Sequence, residues 1–334
     1  MKGKVAIEEH FAIDETLSHS EGYLPDEVWS ELSGNLMDFE NQRLAYMDEH
    51  GIEMMVLSLN APAVQAFPDP KRALAIAQKA NDVLAEQISR RPNRFSGFAA
   101  LPMQDVDLAI RELERCMVEL RLVGVLANGF TDTSDPTLPL YYDLPQYKPF
   151  WKAVDSFDVP FYLHPRNPLP AWAQVYRGHE WLLGPTWGFA AETAVHALRL
   201  MGSGLFDEFP RLQIILGHMG EGLPFNMWRI DNRNSWSKSP HHCKARKKMA
   251  DYFRSNFNVT TSGNFRTPAM IDAISEIGAD RVLYAQDYPM EAVADAAQWF
   301  DPSSISEPDR LKIGRTNAIR LLKLPLKPDT QPAA

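Results

Sequence analysis

The 334-residue chain reads as an α/β protein, a (β/α)8 barrel with inserted loops over its C-terminal face. Three observations lead there. Short, nearly all-apolar runs alternate with amphipathic helical stretches, the pattern of parallel strands covered on both faces. Eight such runs can be counted along the sequence. The length, finally, suits one closed barrel with insertions as well as it suits two ordinary domains. Counting alone leaves an open doubly wound sheet as the rival.

The eight runs are Lys4 to Glu8, Glu53 to Leu59, Phe95 to Leu101, Val123 to Ala127, Val159 to His164, Leu212 to Gly217, Phe257 to Thr261 and Arg281 to Ala285. Between them, Lys71 to Arg90 places Leu74, Ile76, Ala77, Ala80, Leu84 and Ile88 at helical spacing. Asp107 to Leu120 does the same with Leu108, Leu113, Met117 and Leu120. Thr267-Pro268 opens another helix, proline being favourable at a first helical position. Two stretches interrupt the alternation. Residues 11–40 form an inserted loop or small helical cap, and residues 165–189 form a loop rich in Pro, Trp and Tyr. Both follow strands, so both are expected over the active face of one barrel spanning residues 1–324. Residues 325–334 form a Pro-rich tail.

Composition narrows the function. Hydrophobic residues make up 45% and charged residues 23%, which excludes a disordered chain or a coiled coil and allows a large core. The net charge of −9 and the lack of a basic stripe argue against nucleic acid. The densest basic run, Lys244 with Arg246, Lys247 and Lys248, reads as a solvated helix end. Two cysteines make no disulfide framework, and Cys116 falls in a helical pattern as a buried thiol. No run approaches the roughly 20 apolar residues that cross a bilayer. A cytoplasmic protein without membrane contact is expected.

In a barrel, polar side chains at the C-terminal strand ends form the active site. Here the first strand ends in Glu8-Glu9-His10, the fourth in Asn128, the fifth in His164, the sixth in His218 and the eighth in Asp287. Each has a plain structural reading by itself; a lone strand-end His is commonly just hydrogen-bonded, and Asp287 before Tyr288-Pro289 can start a turn. Their joint placement counts for more. Glu8 and His10, two apart on a strand, point to one side and can grip one ion. Glu8, His10, His164 and Asp287 offer a carboxylate and imidazole mixture suited to Zn²⁺, Mn²⁺ or Fe²⁺, and less to Ca²⁺. Glu221, three residues beyond His218, is placed to orient that imidazole, or else it complements a helix N-terminus. His19, His50, His179, His196, His241 and His242 read as surface residues.

The stretches Glu8-Glu9-His10-Phe11, Tyr162-Leu163-His164-Pro165-Arg166-Asn167-Pro168, Ile215-Leu216-Gly217-His218-Met219-Gly220-Glu221 and Asp287-Tyr288-Pro289 resemble, in that order and spacing, the metal-dependent decarboxylase branch of the amidohydrolase superfamily. The likeness runs from Met1 to about Leu324. It implies one divalent ion (Mn²⁺ or Zn²⁺, with Mg²⁺ allowed) and no organic cofactor. The ion would be held by Glu8, His164 and Asp287 with His10 alongside, His218 and Glu221 standing next to it. It also implies a homo-oligomer, tetramer or dimer. Many relatives have Ser or Thr before the last-strand Asp and Trp-Pro-Phe after it. This chain has Ala285-Gln286 before Asp287 and Tyr288-Pro289-Met290 after it, changes that bear on the substitution pattern of the substrate ring.

The activity so implied is reversible, non-oxidative decarboxylation of an ortho-hydroxybenzoate. The first expected substrate is 2,6-dihydroxybenzoate, with 2,3-dihydroxybenzoate and salicylate as alternatives. Asp287 is the expected proton donor to the ring carbon, and His218 with Glu221 would manage that proton. Tyr23, Ala61, Trp187, Phe189 and Met290 are expected to line the ring pocket, and Asn128 to bond a ring hydroxyl. Arg229 is expected to bind the substrate carboxylate, within the chain or across a subunit interface; its alternative is a helix-surface ion pair with Asp231. A hydrolase on the same barrel is the competing enzyme. Against it, hydrolases of the superfamily carry His-x-His at strand one, and two-metal members carry a bridging Lys on strand four, where this chain has Glu8-Glu9-His10 and Asn128. A non-catalytic barrel should have lost part of the ligand set, which is complete here.

Overall fold

A computed structural model describes residues 1–23, 26–236 and 243–328. Eight parallel strands follow one another: β1 (Lys4–Phe11), β2 (Ile52–Leu59), β3 (Phe95–Gly97), β4 (Val125–Asn128), β5 (Phe161–His164), β6 (Ile214–Leu216), β7 (Phe257–Thr260) and β8 (Val282–Leu283). Each pairs with the next in sequence, in one group of three and one of five. Single bridges close the two gaps. Ala99 bridges Val125 between β3 and β4, and Glu9 bridges Tyr288 between β1 and the segment after β8. At that second seam the His10 amide donates to the Tyr288 carbonyl at 2.6 Å, and the Asp287 amide to the Glu8 carbonyl at 3.0 Å. The sheet therefore closes into a barrel, and the open-sheet rival is set aside.

Alternation along the strands divides the core in two. Val5, Ile7, Met54, Val56, Phe98, Leu126, Tyr162, Ile215 and Leu283 fill the barrel, whose lower end is stoppered by Ala318, Ile319 and Leu322 of the last helix, Asn317–Leu322. The alternate residues, among them Ala6, Met55, Leu57, Ala127, Leu163 and Val259, pack outward against the helices. In Pro70–Arg90 the N-cap Asp69 accepts from the Arg72 amide at 2.7 Å. Its buried stripe contains Ala73 in place of the expected Leu74, which is only half-buried. In Val106–Val118 the buried residues are Ala109, Glu112, Leu113 and Cys116, so the stripe is rotated from the expected Leu108 and Met117. Glu112 can be buried because Asn81 and Arg115 both donate to it, each at 2.8 Å.

The 11–40 insertion contains a 3-10 helix, Leu17–Tyr23, and an α-helix, Asp26–Met37, whose Leu32 and Leu36 pack with Ala12 and Met290. The loop after β5 is a chain of short 3-10 turns leading into the helix Gly188–Gly202. Lys327, at the start of the tail, is held through its carbonyl by Arg315 at 2.9 Å; residues 329–334 lie outside the described residues. No described helix is long and apolar enough to cross a membrane.

Candidate active site

The site begins with an irregularity in β1. Ala6 pairs with Met55 but Glu9 with Leu57, so β1 spends one residue more than its partner over that interval. This bulge reverses the facing of everything after it. Val5 and Ile7 point into the barrel, and strict alternation would send Glu9 after them. Instead Glu8 and His10 turn into the barrel mouth, while Glu9 turns outward. There Glu9 accepts from the Gln286 amide at 3.0 Å and the Tyr288 amide at 3.3 Å. The buried Arg43 guanidinium lies 4.5 Å from the Tyr288 ring centre and donates to the His10 carbonyl at 2.7 Å. Glu9 thus ties the first strand to the last.

Glu8, His10, His164 and Asp287 converge, with one ligand-type atom from each lying within 4.8 Å of the others. Glu8 Oε1 is 3.4 Å from His164 Nε2, and Asp287 Oδ1 is 3.2 Å from His10 Nε2. The other atom of each group is already engaged. Tyr162 Oη and Thr260 Oγ1 both donate to Glu8 Oε2, the latter at 3.0 Å. His164 Nδ1 lies 3.1 Å from the Pro165 carbonyl and His10 Nδ1 3.1 Å from Ser58 Oγ. Among the described residues, Glu8 Oε1 and His10 Nε2 are buried and have no hydrogen-bond partner. Buried polar atoms are almost always paired. Two unpaired ones aimed at the same point, with oxygen and nitrogen donors held by outer partners, fit a divalent cation. Gly217 lets the backbone pass close to this point, since a Cβ there would stand 3.0 Å from both Glu8 oxygens.

Burial pushes the Glu8 carboxyl above its ordinary range and pushes His164 well below its own, with His10 adding to the latter. A neutral His164 is the ligand-competent form. Asp287 is also raised by burial, but the His10 and His218 imidazoles beside it outweigh this and hold it well below the usual carboxylate range.

His218 and Glu221 arrive by an unusual route. β6 stops at Leu216, and residues 218 to 222 all have positive φ, namely His218 at 51°, Met219 at 58°, Gly220 at 79°, Glu221 at 55° and Gly222 at 74°. Left-handed backbone costs a non-glycine residue about 1–2 kcal/mol. Strain of this kind concentrates where geometry serves a site. The turn sets His218 Nδ1 2.8 Å from Glu221 Oε1 and His218 Nε2 3.4 Å from Asp287 Oδ2. Burial alone would lower His218, but the Glu221 and Glu8 carboxylates reverse this and raise it well above an ordinary histidine. Asp287 itself lies beyond the end of β8, in a left-handed conformation with φ of 72°.

The expected ring contacts are placed less uniformly. Asn128 ends β4 in register with His164, its Nδ2 donating to the Asn60 carbonyl at 3.2 Å and its Oδ1 buried without a partner. The Ala61 carbonyl accepts from Ser20 at 3.2 Å, beneath the cap. Met290 packs on the cap helix, Phe189 is half-buried at the start of Gly188–Gly202, and Trp187 is 58% exposed. Arg229 is exposed on the helix Leu223–Asn234. It makes no ion pair with Asp231, which instead accepts from the amides of Met249 and Ala250 at 2.7 and 3.1 Å. The side chain of Tyr23 lies outside the described residues, as do His241 and His242. His196, read from sequence as a surface residue, is buried and accepts from the Tyr142 amide at 3.2 Å. The sequence reading also missed Tyr162, Thr260 and Ser58. Tyr162 was findable, because it precedes His164 by two and must share its face.

An amidohydrolase family model matches residues 29–324. The chain belongs to the amidohydrolase family. Within this family it is 63% identical over 324 residues to gamma-resorcylate decarboxylase of Rhizobium sp. (strain MTP-10005), an alignment covering 97% of this chain and 99% of that protein. The crystal structure of 2,6-dihydroxybenzoate decarboxylase complexed with 2,6-dihydroxybenzoate matches with a TM-score of 0.95 and 63% identity, over 97% of this chain and 100% of that one. A dihydroxybenzoic acid decarboxylase from Polaromonas sp. JS666, solved with bound manganese and the inhibitor 2-nitroresorcinol, matches with a TM-score of 0.95 and 61% identity, over 98% of each chain.

Proposed function

We propose that this amidohydrolase-family member is a carboxy-lyase that converts 2,6-dihydroxybenzoate to resorcinol and CO₂, non-oxidatively and reversibly, with a divalent metal. The observation that carries the reading is the Glu8, His10, His164 and Asp287 cluster, with its two unpaired buried atoms, in a chain 63% identical to a gamma-resorcylate decarboxylase. Glu8, His164 and Asp287, with His10, would hold the ion. An ion held there would supply Lewis-acid charge that favours binding of the anionic substrate and ionisation of its ortho phenol. We assign Mn²⁺ first, since a relative binds manganese and the donors are mixed oxygen and nitrogen; Zn²⁺ suits the same donors.

Asp287 delivers a proton to the ring carbon that bears the carboxylate, and the ortho oxygen supplies the electron density that accepts it. The carbon–carboxylate bond then breaks, its electron pair restores the aromatic ring, and CO₂ leaves. Asp287 rests as a carboxylate, so its proton has to be supplied when substrate is bound. His218, 3.4 Å away and backed by Glu221, supplies it. Asn128 Oδ1 accepts from the second ring hydroxyl, and the apolar surfaces of Ala61 and Met290 flank the ring.

Arg229 serves the substrate carboxylate of a neighbouring protomer. Supporting this, it lies on an outer helix beside Phe225 and Trp228, which are 82% and 75% exposed, and exposed aromatic patches mark interfaces. The enzyme is accordingly a homo-oligomer, dimer or tetramer.

The test is CO₂ release and ultraviolet loss with 2,6-dihydroxybenzoate, 2,3-dihydroxybenzoate and salicylate in parallel, with Mn²⁺, with Zn²⁺ and after chelation. Metal-dependent release fastest from 2,6-dihydroxybenzoate is expected. Silence on all three with metal bound would overturn the proposal.

A further inference from the structure

At the other end of the barrel a cavity of about 380 Å³ opens among residues that precede the strands. Pro160 leads into β5, Gln213 into β6 and Arg281 into β8, while Arg320 comes from the last helix. Its three carboxylates are each already paired: Asp155 with Arg211 at 2.8 Å, Asp158 with Lys323 at 2.6 Å and Asp280 with Lys312 at 3.0 Å. Arg281 and Arg320 are not. Among the described residues neither has a carboxylate partner; both are held by neutral acceptors.

Arg281 Nη1 donates to Gln213 Oε1 at 2.9 Å and to the Phe257 carbonyl at 3.1 Å. Arg320 Nη2 donates to the Asp280 carbonyl at 2.8 Å and to Asn317 Oδ1 at 3.3 Å. These bonds fix where the guanidiniums stand without cancelling their charge. Burial, then the nearby Arg320, lowers Arg281 from its ordinary value, while the Asp280 carboxylate acts in the opposite sense. Gln213 Oε1 also accepts from Asn258 Nδ2 at 3.2 Å, which fixes the amide that positions Arg281.

We propose that this cavity is a binding site for a small doubly charged oxyanion, gripped by Arg281 and Arg320. Two planar guanidiniums offer parallel donors to an oxyanion, and a dianion matches their summed charge. The space leaves room for a body attached to the anion, so the phosphate group of a small metabolite and a short dicarboxylate share the required chemistry. The site lies at the opposite ends of the strands from the metal cluster and does not depend on the reaction proposed above. Its occupant would tie the starts of β5, β6 and β8 to the last helix, relieving the repulsion between the two arginines.

The experiment is calorimetric titration and thermal melting of the metal-loaded protein with inorganic phosphate, succinate and benzoate, against sodium chloride at matched ionic strength. Saturable binding of phosphate or succinate is expected, with a rise of several degrees in melting temperature that chloride does not give. Arg281→Gln and Arg320→Gln should each weaken it at least tenfold. Arg320 is exposed, and its one bond to a buried group, Asn317 Oδ1, is long at 3.3 Å, so that variant should melt normally in chloride and retain the wild-type decarboxylation rate. Absence of saturable binding would overturn the proposal. So would tighter binding of benzoate than of either dianion, or binding unchanged in both variants, which would locate the anion at the metal centre.

Discussion

Tyr162→Phe isolates the contribution of one outer partner to the metal centre. Glu8 is fully buried, and its Oε2 has two donors, Tyr162 Oη and Thr260 Oγ1, while Oε1 is the atom proposed to bind the ion. Removing the Tyr162 hydroxyl leaves a buried carboxylate with one donor on Oε2. It preserves the ring, which meets Phe98 edge-on with 5.8 Å between centres. A hydrogen bond to a charged group contributes about 1.5–3 kcal/mol. At about 1.4 kcal/mol per tenfold, the dissociation constant for Mn²⁺ should rise about 10- to 100-fold. A competition titration against a chromophoric chelator measures it directly. Turnover at saturating Mn²⁺ should fall much less than affinity, because Glu8 Oε1 is still presented. Thr260→Val should act in the same direction, and the double variant should exceed either single one. An unchanged Mn²⁺ affinity in Tyr162→Phe would refute the view that these hydroxyls hold Glu8 in its ligating pose.

Asp287→Asn should lower turnover by about 10³-fold or more while the circular dichroism spectrum stays that of the parent; activity within tenfold would remove Asp287 as proton donor. Glu221→Gln, which takes the charge away from His218 Nδ1, should cut turnover about 10- to 100-fold with the substrate KM little changed, as steady-state kinetics will show. Gly217→Ala should release metal on dialysis, measured by elemental analysis, because the new Cβ would sit 3.0 Å from both Glu8 oxygens. His196 governs part of the acid stability. Burial lowers its pKa to about 3, so between pH 6.5 and 3 the unfolded chain takes up a proton that the folded chain refuses. Stability should therefore fall as pH drops through that window, by roughly 1.4 kcal/mol per pH unit and about 5 kcal/mol in all. His196→Gln keeps an acceptor for the Tyr142 amide and should flatten this slope in urea melts taken at a series of pH values.

Much of the barrel was legible because parallel strands buried on both faces leave apolar runs of recognisable length. Seven of the expected runs overlap a strand by three residues or more, and the eighth by two, Val282–Leu283, the chain after it leaving the ladder for the turn that presents Asp287. The convergence of Glu8, His10, His164 and Asp287 followed from one rule about strand ends, applied to three strands far apart in sequence. What the rule could not supply was the facing. Val5 and Ile7 predict an inward Glu9, and only the bulge, a feature of pairing between strands, turns Glu8 and His10 inward. The left-handed run from His218 to Gly222 was equally hidden, since Met219 and Glu221 give no local sign of positive φ. His196 was misjudged because a histidine amid helical residues looks the same whether its neighbours are water or Tyr142. Arg229 shows a limit of another kind: it is exposed on an outer helix, and the sequence of one chain does not say what faces it.

The join between β1 and the segment after β8 has a consequence for biogenesis. The metal cluster straddles the join, with Glu8 and His10 on one side and Asp287 on the other, and their amides and carbonyls are what close the ring of strands. No nascent chain that has yet to deliver residue 287 can assemble the cluster, however well its earlier strands have folded. On the proposed ligand set, capture of the ion by all four residues waits for the last step of barrel assembly, and an ion so held would certify that both ends of the sheet have met.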